Sequence, residues 1–372
     1  MLNSIEEAVE DIKAGKVVIV VDDEERENEG DFIAAAEKVS PEMINFMATH
    51  GRGLICASIL EDRCDELDLK LMVGENTAVH ETPFTVSVDL IGHGTTTGIS
   101  ASDRAKTIQA LVDDKTKASD LGRPGHIFPL RAKQGGVLRR PGHTEATVDL
   151  ARIADLKAGG VLVEIMNEDG TMARLPELKK IAEKHELKII SIADLIAFRM
   201  KNESLIEREV EFDFETDLGK FHLVAFRQVT TDEEHIAITK GTWTEDEAVP
   251  VRVQSASLLT HIYENFRGKN GQFLHEVSKM MVEHGKGVAL FMHQASAKGS
   301  LIDHLQNIKN NLDEETVKSD ALYYKMDKQD YGVGAQILRN LGIRKMILVS
   351  NNPQNRTGLI GYGLEVVDNM KI

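Results

Sequence analysis

Apolar positions in the first half of the chain fall into short β-branched runs separated by stretches with helical spacing. Lys16-Val17-Val18-Ile19-Val20-Val21 has the length and composition of a strand, and a carboxylate-rich stretch follows it directly. Asn28-Glu29-Gly30 supplies a turn from which residues 31–36 can return as a second strand. Ser40-Pro41 predicts a helix start, with serine as cap and proline at the first helical position. Gly51 and Gly53 end that helix before a strand over residues 54–57. A helix is expected from Thr144 to Lys157, stopped by Gly159-Gly160. A strand over residues 161–165, a helix over 176–185, a strand over 188–192 and a helix over 193–200 continue the alternation. Taken alone, this order predicts a parallel sheet covered by helices.

Residues 201–209 are charged and carry little apolar material, which predicts a linker between a domain over residues 1–203 and a second over 208–372. Beyond it the pattern changes to shorter β-like runs, then helices, then a last apolar run over residues 344–350. Nothing repeats on the scale of a solenoid, but Arg123-Pro124-Gly125-His126 recurs intact as Arg140-Pro141-Gly142-His143.

Composition narrows the function. A length of 372 residues favours two cores over one. A formal net charge of −16 repels phosphate backbones and anionic lipid, so no nucleic-acid and no membrane partner is expected. A small anionic substrate remains compatible where local arginines override the global field. The N-terminal residues do not read as a secretory signal, and no apolar run approaches the roughly 20 residues of a membrane span. Cys56 and Cys64 are the only cysteines; so few in a chain of this size are expected to be reduced, in a cytoplasmic protein.

Several stretches could carry chemistry. The acidic run from Asp22 to Asp31 reads either as a solvated loop or as carboxylates converging on a hard cation, with Arg26 neutralising part of the repulsion or holding a phosphate. In each Arg-Pro-Gly-His segment, proline and glycine present the histidine from a tight loop; turn histidines without a function are equally familiar. Thr144 opens a helix after the second copy, so Arg140, Thr144 and free backbone N–H groups could cradle a phosphate beside His143. The loop Gly92-His93-Gly94-Thr95-Thr96-Thr97-Gly98 lacks the Gly-Lys-Ser/Thr ending of a triphosphate loop, and capping accounts for Ser102 and Asp103 nearly as well as a sugar phosphate does. Glu164 interrupts an apolar strand. It faces water if simple alternation rules, or serves acid–base work if the strand is central. Cys56 reads as a small buried hydrophobe or a site residue.

Four ordered segments together resemble 3,4-dihydroxy-2-butanone 4-phosphate synthase, which releases formate from ribulose 5-phosphate in riboflavin biosynthesis. They are Arg26-Glu27-Asn28-Glu29-Gly30-Asp31, Thr97-Gly98-Ile99-Ser100-Ala101-Ser102-Asp103-Arg104-Ala105, Gly125-His126-Ile127-Phe128-Pro129-Leu130, and Arg140-Pro141-Gly142-His143-Thr144-Glu145-Ala146. The resemblance spans roughly residues 1–200. It implies an α+β fold with a mixed sheet, overriding the parallel one. It also implies a homodimer with shared sites and two divalent cations per site, magnesium or manganese, held by Glu27 and His143. Substrate binding falls on Arg26, Glu27, Asp31, Arg140, Pro141, Gly142, His143, Thr144 and Glu164, and catalysis on His126, Glu164, Glu27 and Asp31. The implied chemistry is proton removal beside a carbonyl, an enediolate stabilised by metal, loss of water and a skeletal shift.

From about residue 210 onward the chain resembles GTP cyclohydrolase II, most clearly at Asp330-Tyr331-Gly332-Val333-Gly334-Ala335-Gln336, then at Asn351-Asn352-Pro353 and Gly361-Tyr362-Gly363. That family holds zinc through three cysteines. Their segments fall here on Gln254-Ser255-Ala256-Ser257 and on Gly268-Lys269-Asn270, and no cysteine follows Cys64. The family's Arg-Gln-Glu-Gly-Arg-Gly segment has become His293-Gln294-Ala295-Ser296-Ala297-Lys298, and Gln329 stands where an arginine is expected two residues after Asp327. The expectation is therefore a second α+β domain, inactive as a cyclohydrolase and without zinc, serving as scaffold or nucleotide sensor. The alternatives are a bifunctional enzyme that still opens GTP, a binding protein with both halves inactive, or an unrelated metal site among His222, His235, His261, His275, His284, His293 and His304.

Overall fold

A computed structural model describes residues 2–78, 81–256, 270–293, 331–351 and 359–371, and divides the chain into two compact units, Met1–Glu203 and Ser204–Ile372. The first unit begins with helix α1 (Ile5–Lys13), whose Ser4 and Glu7 form a capping box. Strands β1 (Val18–Val21) and β2 (Gly30–Ala35) follow, then α2 (Pro41–His50), where the Ser40 hydroxyl accepts from the Met43 N–H as a cap. The remaining elements are β3 (Cys56–Leu60), α3 (Glu61–Glu66), β4 (Val88–Leu90), α4 (Ala101–Val112), β5 (Leu121–Ala132), α5 (His143–Ile153), β6 (Gly159–Glu164), α6 (Leu175–His185), β7 (Ile189–Ser191) and α7 (Ile192–Arg199).

The strands make one seven-stranded sheet in the order β4-β5-β3-β6-β2-β1-β7. β1 runs parallel to β7 and β3 to β5, whereas β1–β2, β2–β6, β3–β6 and β4–β5 are antiparallel. The sheet is therefore mixed. The plain parallel sheet fails because only the tight acidic loop joins β1 to β2, and a link that short connects antiparallel neighbours. Alternate side chains such as Ile19, Phe32, Ala57 and Val163 enter one core with Met47, Ile108 and Leu178 from α2, α4 and α6. α5 packs across β6, β2 and β3.

Three local expectations are corrected. Gly159-Gly160 does not stop α5; it opens β6. Added Cβ atoms there would lie 2.5 Å from Val112 and from Thr147, so the missing side chains let helices approach the strand closely. Arg123-Pro124-Gly125-His126 lies within β5, in extended conformation, and is not a loop. The helix after the threonine-rich loop is capped by Ser100, whose hydroxyl accepts from the Asp103 N–H, and not by Ser102 or Asp103.

The second unit comprises β8 (Ile206–Thr216), β9 (Gly219–Gln228), β10 (Glu234–Lys240), β11 (Ala248–Ala256), α8 (Asn270–Glu283), β12 (Gly287–His293), α9 (Gly332–Asn340), β13 (Lys345–Val349) and β14 (Glu365–Met370). Its sheet runs β14-β13-β11-β12-β10-β9-β8, parallel from β14 to β12 and antiparallel from there to β8. Val277, Met280 and Met281 of α8 pack on Phe221, Ala289 and Val349. The polar stretch expected to be a linker is in part the edge strand β8. Leu205 and Ile206 are buried, and the residues that follow are exposed on both faces of β8, which is an edge strand among the described residues.

Candidate active site

The carboxylate-rich loop is an ordered turn built around Asp22. Its Oδ1 accepts from the Glu29 N–H at 2.8 Å, and its Oδ2 accepts from the Glu27 N–H at 3.1 Å and from Arg26 at 2.8 Å. Arg174 donates to the carbonyls of Glu27 and Asn28 from below. Glu24 and Glu25 are exposed, as in a solvated loop, whereas Asp22, Arg26 and Glu27 are half-buried and held by these bonds. The loop hangs between the end of β1 and the start of β2, where the end of β6 and the N-terminus of α5 also arrive.

A cavity of about 310 Å³ opens there. Arg26, Glu27, Asp31, Arg140, His143, Thr144 and Glu164 line it, together with Glu29, Cys56 and apolar Leu54, Phe84 and Leu162. Strand register explains the convergence. Asp31 pairs with Glu164 and Cys56 with Leu162, so these side chains share one face of the sheet. β6 is central, and the Glu164 carboxylate accepts from the Leu54 N–H at 2.9 Å at the strand's end. Glu164 is half-buried and lines the cavity. Cys56 is 3% exposed, and burial pushes its thiol well above the usual range.

Arg140 is buried and donates to Glu145, which has no exposed surface, at 2.8 Å. Gly142 is the N-cap of α5 and supplies no side-chain cap, leaving first-turn N–H groups for an anion. A Cβ on Gly142 would lie 2.9 Å from Arg140 and 3.2 Å from Arg26, so the bare glycine lets both guanidinium groups close on the helix start. Pro141, buried beside it, does not line the cavity.

Electrostatics at the cavity are dominated by excess carboxylate. Burial raises Asp31 to about 7; His143 opposes this, while Glu164, Glu27 and Glu29 add to it. Glu29 is also raised, first by burial and then by Glu27. Burial pulls His143 down, but Asp31, Glu27 and Asp22 outweigh it and lift the ring to about 9. His143 Nε2 lies 3.1 Å from the Val20 carbonyl, which can only accept, so Nε2 carries the proton. Nδ1 is left facing Glu27 at 3.8 Å. Asp22, Glu27 and His143 offer ligand atoms within 4.8 Å of one another, and Asp31 Oδ1 is buried without a hydrogen-bond partner. Protons on Asp31 and His143 here balance charge that a cation could balance instead.

His126 is not brought into this cavity. It sits on β5 with its backbone N–H on Asp89 Oδ1 at 2.9 Å and its Nδ1 on Asp89 Oδ2 at 2.6 Å, the side chain 43% exposed. Asp89 can only accept, so Nδ1 carries the proton of this contact. Gly98, at φ +91°, passes so close that an added Cβ would lie 2.0 Å from Asp89 Oδ2. Asp103 fixes that loop by accepting from the Thr96 N–H and hydroxyl and from the Gly98 N–H. Sequence reasoning had Asp22 only as the first residue of the acidic run after β1, and singled out neither Asp89 nor Arg174, which leave no local signal.

In the second unit, Gln254 Oε1, near the end of β11, is buried without a hydrogen-bond partner among the described residues. Ser257, Gly268, Lys269, residues 294–298, Asp327, Gln329, Asp330, Asn352, Pro353, His261 and His304 lie outside the described residues. His222 pairs with Asp213 at 2.7 Å and His284 with the Met280 carbonyl at 2.9 Å, each within its own hairpin or helix. No described helix is long and apolar enough to cross a membrane.

Comparison with known proteins agrees with this division. The family model of 3,4-dihydroxy-2-butanone 4-phosphate synthase matches residues 6–198, and that of GTP cyclohydrolase II matches residues 207–371. The riboflavin biosynthesis protein RibBA of Cytophaga hutchinsonii is 59% identical over 373 residues, covering 100% of this chain and 92% of that relative. The crystal structure of RibBX, a two-domain 3,4-dihydroxy-2-butanone 4-phosphate synthase from A. baumannii, superposes with a TM-score of 0.64 at 39% identity, over 100% of this chain and 99% of that one. A 3,4-dihydroxy-2-butanone 4-phosphate synthase solved in complex with two magnesium ions gives a TM-score of 0.52 at 42% identity, over 54% of this chain and 98% of that one.

Proposed function

Because the chain belongs to the 3,4-dihydroxy-2-butanone 4-phosphate synthase family, we propose that its first unit converts ribulose 5-phosphate to 3,4-dihydroxy-2-butanone 4-phosphate and formate in the cavity between β1, β2, β6 and α5. One observation carries the assignment. A single cavity holds two guanidinium groups at a helix start beside a cluster of carboxylates and one histidine. Arg26, Arg140, Thr144 and the N-terminal N–H groups of α5 take the phosphate, with Pro141 and Gly142 shaping that turn.

Glu27 and His143 hold a pair of magnesium or manganese ions, with Asp22 fixing the loop that carries Glu27. Carboxylate oxygens of Asp22 and Glu27, the His143 Nδ1 that faces Glu27, and the buried Asp31 Oδ1 suit a hard divalent cation, which would take the place of the protons held there. Bound there, the cations supply positive charge against the negative charge that grows on substrate oxygens. Asp31, raised to about 7, and Glu164, directly opposite it in register, are placed to move protons at the sugar carbons. The five-carbon substrate loses water, shifts its skeleton, regains water and parts with one carbon as formate.

The active form is a homodimer. His126 does not line its own chain's cavity, and its half-exposed ring is held by Asp89, which supports a reading in which the partner subunit's His126 completes each site.

The second unit does not hydrolyse GTP. Zinc in that family sits on thiolates, and serine, glycine and asparagine do not replace them; with no cysteine after Cys64, the donor set does not fit the metal. The unit then acts as scaffold or nucleotide sensor, and deleting residues 206–372 separates the two. Loss of the dimer supports a scaffold, and loss of a nucleotide response supports a sensor. A second reading, that this half still opens GTP, draws on the cyclohydrolase match over residues 207–371.

Formate release tests both halves, because both reactions yield it. Purified protein is offered ribulose 5-phosphate or GTP separately, with magnesium and then with excess chelator. Chelator-sensitive formate from ribulose 5-phosphate alone is the expected result. Formate from GTP would overturn the assignment of the second unit, and none from ribulose 5-phosphate would overturn that of the first.

A further inference from the structure

The segment between β5 and α5 carries Arg140 and the helix start, and it is held from behind by a buried ion pair that does not touch the cavity. Gly135 and Gly136 have φ of 96° and 60°, which only glycine adopts freely, and lead into a 3-10 turn over Gly136–Leu138. The N–H groups of Arg139 and Arg140 both donate to the Gly136 carbonyl at 3.0 Å, so the course of Arg140 follows from where Gly136 is fixed.

What fixes it comes from two helices. Asp149, 6 residues along α5 from His143, accepts from the Val137 N–H at 2.8 Å and from Arg199 of α7 at 2.7 Å through one oxygen, Oδ2. The same nitrogen of Arg199 donates to the Gly135 carbonyl at 2.8 Å, and the rest of the guanidinium is held by Glu203. The Arg199 and Asp149 side chains are 1% and 3% exposed. Gly136 packs so tightly on this pair that an added Cβ would lie 2.1 Å from Asp149 Oδ1.

A buried ion pair is weak evidence of added stability, since apolar residues of similar volume often serve as well. Its directional bonds here end on the backbone at Gly135 and Val137, a few residues before the phosphate-binding turn. We propose that Arg199, acting through Asp149 and the Gly135 carbonyl, is a positioning residue that sets the register of the 135–142 turn and so places Arg140 and the α5 N-terminus on the substrate phosphate. This rests on the phosphate assignment made above.

The test uses the full chain and three variants, Arg199→Met, Arg199→Lys and Arg140→Ala, followed by steady-state formate release, thermal unfolding and hydrogen exchange. Arg199→Met is expected to raise KM for ribulose 5-phosphate about tenfold while kcat changes less than about threefold, because binding geometry is disturbed away from the reacting carbons. Exchange over residues 135–142 should quicken while β1 and β6 stay protected. Arg199→Lys should recover the unfolding temperature without recovering KM, since one ammonium cannot span Asp149, Gly135 and Glu203 together; it also stands in if the methionine variant does not fold.

A lowered unfolding temperature with KM and exchange unchanged would overturn the inference and leave Arg199 merely structural. If Arg140→Ala also leaves KM unchanged, the phosphate assignment fails separately. Exchange over residues 135–142 then decides alone, faster exchange supporting the tether and unchanged exchange refuting it.

Discussion

Removing divalent cations should make the stability of the first unit fall as pH rises. Folded Asp31 sits at about 7 against an ordinary 3.8, and folded His143 at about 9 against 6.5. Both groups bind a proton more tightly folded than unfolded. Each contribution is full below the unfolded value and is lost as pH rises through the folded one. The Asp31 window runs from about 4 to 7 and the His143 window from 6.5 to about 9, so the two join into one decline. The slope for one extra proton is at most ~1.4 kcal/mol per pH unit, so from pH 7 to 9 the first unit should lose ~2 kcal/mol. The two groups share one site, so their contributions do not simply add.

Chelator-treated protein unfolded in urea at several pH values reads this out by far-UV circular dichroism. Trp243 and all five tyrosines lie in the second half, so fluorescence follows that unit separately and gives its transition for subtraction. His143→Gln should flatten the slope between pH 7 and 9. Magnesium should stabilise the wild type, and more strongly at pH 9 than at pH 6, because below the folded value of His143 a cation must displace a proton. A flat or rising profile in the wild type, or an unchanged slope in His143→Gln, would refute the charge balance inferred for the cavity.

Glu27→Ala should lower turnover at least ~100-fold, with folding preserved and the magnesium-dependent gain in stability lost; near-normal formate release would remove Glu27 from the cation site. Gly142→Ala puts a methyl group 2.9 Å from Arg140 and 3.2 Å from Arg26, so KM for ribulose 5-phosphate should rise ~10-fold with kcat little changed, read from the same formate assay. Gly98→Ala combines a φ of +91° with a Cβ 2.7 Å from His126 Nδ1; displacing that ring should cut kcat ~10- to 100-fold and leave KM nearly intact. Mixing Gly98→Ala subunits with Glu27→Ala subunits should restore part of the activity if His126 serves the partner's cavity, and no restoration would place both residues in one chain's site.

Much of the first unit was legible because its signals are local. β1 is an unbroken β-branched run, and the Ser40-Pro41 start of α2 is a cap whose chemistry needs no tertiary partner. Strand direction was not legible, since pairing depends on which edges meet after folding. Only the shortness of the 22–29 loop hinted that β1 and β2 run antiparallel. Gly159-Gly160 misled for a related reason. A glycine pair reads as a stop when seen along the chain, while its purpose here is clearance for Val112 and Thr147 from distant elements. β8 was hidden because one of its edges is unpaired, and acidic residues facing water look like a linker. The motifs carried Arg26, Glu27, Asp31, Arg140 and His143, whereas Asp89 and Arg174 act across 37 and 147 positions and have no spacing to betray them.

The two copies of Arg-Pro-Gly-His show how little a motif fixes without its backbone. In the second copy the glycine caps α5, so His143 enters the first turn and its ring turns inward, 6% exposed, between Val20 and Glu27. In the first copy the same four residues run along β5, and Gly125 is required because an added Cβ would lie 2.0 Å from the Val88 carbonyl carbon. His126 therefore stands at the strand's surface, where Asp89 fixes its tautomer. The arginines diverge as well. Arg140 is buried against Glu145, while Arg123 spends its donors on the carbonyls of Ala118, Leu121 and Leu67. One sequence thus yields one enclosed imidazole and one half-exposed imidazole. The difference comes from whether the glycine ends a loop or lets a strand pass close to its neighbour.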